Sequence, residues 1–103
     1  MNNLKETLST VIVNIEEVTD LFYKQKNNEG YTRLNSVLIN MTNTVEQLFA
    51  YKLENNNVNI DENKLILTLT DAMHAMEKKD TVLLADILQY EIIEQFRSIE
   101  KLL

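Results

Sequence analysis

The 103-residue chain carries a formal charge of −6, has no cysteine and no proline, and contains one glycine, Gly30. The missing cysteines exclude disulfides and thiolate metal sites. The near-absence of glycine and proline leaves a β-sheet without the residues its strands need to reverse direction. With 45% hydrophobic and 25% charged residues, the composition is that of an ordinary globular protein, and a chain this short holds one core. One all-α domain over residues 1–103 is expected.

The longest uninterrupted apolar run, Val82 to Ala85, is far below the roughly 20 residues that span a bilayer. The start MNNLKETLS lacks the apolar stretch of a signal peptide. A cytoplasmic protein without membrane attachment is expected, so the acceptor pattern Asn40-Met41-Thr42 reads as coincidence. Residues 1–53 hold 5 basic and 6 acidic side chains, and residues 54–103 hold 5 and 10. The second half repels phosphate, which argues against nucleic acid and anionic membranes as partners.

In chain order, Leu4, Leu8, Val11, Ile15, Val18 and Phe22 alternate spacings of four and three, which places them on one stripe of a helix. That helix is predicted over about 3–26, capped at its start by Asn2 or Asn3 and carrying Lys24 and Lys26 in its last turn. Asn27-Asn28-Glu29-Gly30 reads as a break. Tyr31, Leu34, Leu38, Met41, Val45 and Leu48 resume the seam in a second helix over about 31–53. The polar run Glu54 to Asn59 is a loop.

Asp61 is a suitable N-cap, with Ile60 before it and Leu65 after it spaced as a hydrophobic staple. The third helix, about 61–78, is expected to bury Leu65, Leu69, Ala72, Met73 and Met76. Asp80 then caps a fourth helix over about 81–102. Four helices of similar length, each about 30 Å at 1.5 Å per residue, make an up-and-down four-helix bundle.

The fourth helix is apolar on more of its circumference than one core face requires. Ala85, Leu88, Ile92, Phe96, Ile99 and Leu103 form the core face, with Leu84, Leu102, Val82 and Ile93 at its shoulders. Leu83, Ile87 and Tyr90 fall opposite, where water is expected. Two readings account for that stripe: the loop 55–60 or the chain near Gly30 covers it, or it meets another protein chain. Asp86, Glu91 and Glu94 would rim such an interface. A hydrogen bond between Asp86 and Tyr90, with Arg97 two turns on, is a further expectation along this edge.

The run AMEKKDTVLLADILQYEI, residues 75–92, resembles the C-terminal signature of small uncharacterised helical-bundle proteins from low-GC Gram-positive bacteria. In those proteins a Lys-Asp turn leads into a Leu-Ala-Asp-Leu-Leu-Glu-Tyr-Glu-Leu helix. Ala75, Glu77, Lys79, Asp80, Leu83, Leu84, Ala85, Asp86, Leu88, Tyr90 and Glu91 match that pattern, while Thr81 and Gln89 depart from it. The resemblance implies a helical fold and a bacterial origin, and it implies no activity.

Catalytic chemistry finds little footing. Asp71 and His74 have the i, i+3 spacing used in carboxylate-bridged metal bundles, but that design needs the pair on two helices and His74 is the sole histidine. No metal ligands and no cofactor are therefore assigned. A phosphotransfer domain using His74 is the alternative from another class, although Glu77 and Lys78 stand where a lysine and a glycine follow such histidines. Neither a serine or threonine nucleophile placed against His74 nor a glycine-rich phosphate loop is apparent. The expectation is a non-enzymatic protein-interaction module, possible roles being a small bacterial chaperone or adaptor, with homodimerisation through the fourth helix as its simplest form.

Overall fold

The computed structural model describes residues 3–103 and is an all-α four-helix bundle. Helix α1 covers Asn3–Tyr23, α2 Asn27–Glu54 and α3 Glu62–Glu77. The fourth helix, α4, runs over 81–100 as α-helical Thr81–Ile87, a π-helical turn Leu88–Ile92 and α-helical Ile93–Glu100. The helices are not of similar length as expected. The 28-residue α2 is about 42 Å long at 1.5 Å per residue, matching the 41 Å long axis, whereas α3 has only 16 residues. The most extensive backbone packing is α1 against α2, α1 against α4 and α3 against α4.

Chain reversals are set by local chemistry. After α1, Lys26 N–H donates to Leu21 C=O at 2.8 Å and Gln25 N–H to Phe22 C=O at 3.0 Å, with Gln25 left-handed at φ 61°. After α3, Asp80 N–H donates to Ala75 C=O and Lys79 N–H to Met76 C=O, both at 3.0 Å, with Lys79 at φ 54°. Both are Schellman closures, a position that usually selects glycine. The first stops α1 at Tyr23, so Lys24 and Lys26 lie beyond it rather than in its last turn. The expected Asn2 cap lies outside the described residues.

The predicted break at Asn27–Gly30 is instead the first turn of α2. Gly30 is buried there, and a Cβ at that position would come within 2.6 Å of the Phe22 ring. Its role is close approach, not turning. Phe22 in turn meets Tyr31 edge-on, with ring centroids 5.0 Å apart.

Asp61 and Asp80 cap α3 and α4 as expected, accepting from Lys64 N–H at 3.0 Å and Leu83 N–H at 3.1 Å. Ile60 and Leu65 are both buried, as the staple requires. The core joins Leu8, Ile15, Val18 and Phe22 of α1 to Leu34, Met41 and Leu48 of α2 and to Leu84, Leu88, Ile92 and Phe96 of α4. In α3 the buried residues are Leu65, Thr68, Ala72 and Ala75. Met73 is 58% exposed, a correction to the expected core, because α3 turns its Thr68 and Ala75 edge toward α4.

Candidate functional site

The π turn accounts for much of the surplus apolar surface of α4. Ile87 and Ile92, like Leu88 and Ile93, stand five residues apart, and a straight α-helix would set such residues about 140° apart. Hydrogen bonds of the i to i−5 type, as from Ile93 N–H to Leu88 C=O, bring residues five apart nearly into register. All four isoleucine and leucine side chains are buried. Ile87 at 4% exposure is thus part of the core, which corrects its predicted place on a free stripe. Ile87 shares a depression with Ala75 and His74 of α3.

Leu83 and Tyr90 do remain free, 46% and 67% exposed. Leu83, Ile87 and Glu91 of α4 face Asp71, His74 and Lys78 of α3 across the depression. A neighbouring cavity is bounded by Asn59, Asp61 and Lys64 on one side and by Tyr90, Glu91, Glu94, Ser98, Ile99 and Leu102 on the other. Glu91 lines both, so they form successive stretches of one groove along the α3–α4 seam. Gln95, which also lines the second cavity, donates from Nε2 to the buried Thr68 hydroxyl at 2.8 Å, tying the two helices at the groove floor. Sequence periodicity missed Thr68 as a core position, although it lies three residues after Leu65 and four before Ala72.

Charge in this groove is unevenly matched. Asp61, Asp71, Glu91 and Glu94 line it against Lys64 and Lys78. Among the described residues, neither Asp71 nor Glu91 forms an ion pair, and Glu94 has only Arg97 at 3.7 Å. Asp86, by contrast, does not rim the groove. It accepts a hydrogen bond from the Tyr23 hydroxyl at 2.6 Å, in place of the expected bond with Tyr90. Partial burial first, then this bond and the Asp86 charge, push the Tyr23 phenol above its ordinary value. Arg97 is likewise drawn to α1, bonding Glu16 at 3.0 Å. Thr19 adds a 3.2 Å bond to Gln89, and Ser9 bonds Glu100. The polar edge of α4 therefore divides, one flank joined to α1 and the other left open beside α3.

His74 is exposed, and Asp71, Lys78 and Glu91 line the same depression. Among the described residues no group of three or more His, Asp or Glu side chains is placed to share a metal ion. Among the described residues no helix is long and apolar enough to cross a membrane.

Fold and groove together define a small acidic helical bundle with a charged, partly apolar cleft between its last two helices. The chain belongs to the family described as domain of unknown function DUF8042, which matches residues 1–102. No curated protein and no solved structure matches it.

Proposed function

We propose that this domain is a non-enzymatic protein-interaction module, in its narrower form a small bacterial, cytoplasmic chaperone or adaptor. The observation that carries the reading is the α3–α4 groove. After the core is filled, Leu83, Tyr90 and Leu102 remain about half or more exposed along it, beside Asp71 and Glu91, which form no ion pair among the described residues. Apolar side chains rimmed by charge are how interaction surfaces are built. The groove also borders the π turn, a distortion that recurs at functional positions, and Tyr90 and Glu91 lie within that turn.

A photoreactive amino acid at position 83 or 90, irradiated in cells that make the protein, tests the reading. A discrete adduct formed from these positions, and not from the exposed Asn35 on α2, is the expected result. Adducts equally abundant from all three positions would refute it. Homodimerisation is the simplest form of the proposal, and mass in solution for wild type and Leu83→Glu decides that form. The rival reading, phosphotransfer at His74, is favoured by the accessibility of the imidazole and opposed by Asp71 and Glu91 around the same depression. Acid-labile phosphate on wild type and its absence on His74→Gln after incubation with a phosphodonor would establish the rival instead.

A further inference from the structure

We infer that the occupant of the α3–α4 groove is a basic amphipathic helix of another protein, lying lengthwise between the two helices. The inference rests on the interaction reading above and names the chemistry of its partner.

Dimensions come first. The seam follows the 16 residues of α3, about 24 Å at 1.5 Å per residue, which accommodates about four turns of a third helix. Exposed apolar side chains are spaced along it: Leu83 at one end, Tyr90 in the middle, Leu102 at the other. Sites separated in this way suit a helix with apolar residues at alternating spacings of three and four, the pattern by which grooves select amphipathic helices.

Charge then chooses among helices. Carboxylates outnumber lysines four to two among the lining residues, and Asp71 and Glu91, facing each other from α3 and α4, have no ion-pair partner among the described residues. Beyond the groove, residues 54–103 carry 10 acidic side chains against 5 basic ones. A partner with Lys or Arg flanking its apolar stripe neutralises this excess, and its approach is steered by it. A second copy of this chain offers the same acidic excess, so face-to-face pairing across a two-fold axis brings like charges together. An acidic helix fares worse still.

The test uses the intact protein and three fluorescent 18-residue peptides, read by anisotropy. One has leucines on one helical face and lysines on the other, the second has glutamates in place of the lysines, and the third has the composition of the first in scrambled order. The leucine–lysine helix is expected to bind, to weaken at least tenfold between 50 and 300 mM salt, and to exceed both other peptides at least tenfold. Glu91→Lys and Asp71→Lys are each expected to weaken it about tenfold, and Glu91→Gln by less, with circular dichroism confirming that each variant is folded. No binding of the leucine–lysine helix, equal binding of either control peptide, or indifference to the Glu91 and Asp71 substitutions overturns the inference. So does a dimer that Leu83→Glu dissolves. If the position-83 adduct forms but the basic helix does not bind, this inference falls while the interaction reading stands. If neither occurs, both fall.

Discussion

The hairpins α1–α2 and α3–α4 are reversed by the same device, a Schellman closure on a residue other than glycine, yet they present different seams. In the first, Gly30 lets α2 approach the Phe22 ring. One outer cavity between α1 and α2 is lined mainly by asparagine, threonine and glutamine, with Val11 and Glu6, and further along that seam Glu17 is paired with Arg33. In the second, exposed Leu83 and Tyr90 stand among carboxylates. Turn chemistry thus fixes where the chain reverses, and the side chains along the seam decide what solvent meets there. The second hairpin is joined to the first through α4 and α1, by Tyr23 to Asp86 and Glu16 to Arg97, which leaves its other flank available.

The contrast is broken most severely at the groove floor. Ile87→Glu is expected to cost about 3 kcal/mol or more, because a carboxylate would be buried without a partner. Leu83→Glu, one turn away but half-exposed, should stay within about 0.5 kcal/mol. Urea denaturation of the two variants measures the difference, and equal losses would mean that Leu83 belongs to the core.

Gly30→Ala tests the first seam. A helix interior gains about 1 kcal/mol from alanine over glycine, but the added Cβ would strike the Phe22 ring, and overpacking costs about 1 to 3 kcal/mol. A net loss of about 1 kcal/mol is expected, seen as a lower Tm. A rise would show that Phe22 moves aside freely.

Lys79→Gly and Gln25→Gly test whether the two reversals are equivalent. Each should gain about 0.5 to 1 kcal/mol, since glycine adopts the left-handed conformation without the Cβ penalty. For a domain of this size each gain raises Tm by several degrees. Unequal gains would show that one reversal is constrained by more than its own backbone.

The smallest effect expected is that of Tyr23→Phe on the tie between hairpins. Near neutral pH the loss should be about 0.5 kcal/mol, at the low end for a hydrogen bond because the pair is partly exposed. Because the folded phenol titrates above the unfolded one, its contribution is fully present below pH about 10 and disappears as pH rises past that value. The gap between wild type and variant in denaturation midpoints should close above pH 10, and a gap that widens there would reverse the sign.

Much of the bundle was legible because helical periodicity is written in side-chain spacing. The stripe Leu4 to Phe22 and the caps Asp61 and Asp80 lie where spacing and capping chemistry placed them. Gly30 follows two asparagines and a glutamate, a run whose composition is that of a turn although it is helical. Only its distance to Phe22, from another helix, reveals the contact that requires it. Of the candidate site, Leu83, Tyr90, Glu91 and Glu94 are on the groove, whereas Ile87 is beneath it and Asp86 faces away. Asp71, His74 and Lys78 lie on one face of their own helix, which is all that their spacing reveals. Their place opposite Leu83 and Glu91 depends on how α3 and α4 pack.

The sequence by itself determined the class, the four helices and the acidic second half, because composition, period and caps act within a few residues of chain. It also signalled, through Leu83, Ile87 and Tyr90 opposite the core face, that α4 carries more apolar surface than one core face requires. Tertiary structure alone decided what became of that surplus. Packing against both α1 and α3 favours a π turn that buries Ile87, Leu88, Ile92 and Ile93. What remains exposed is a narrower, charged groove, set by distances between helices that no local pattern encodes.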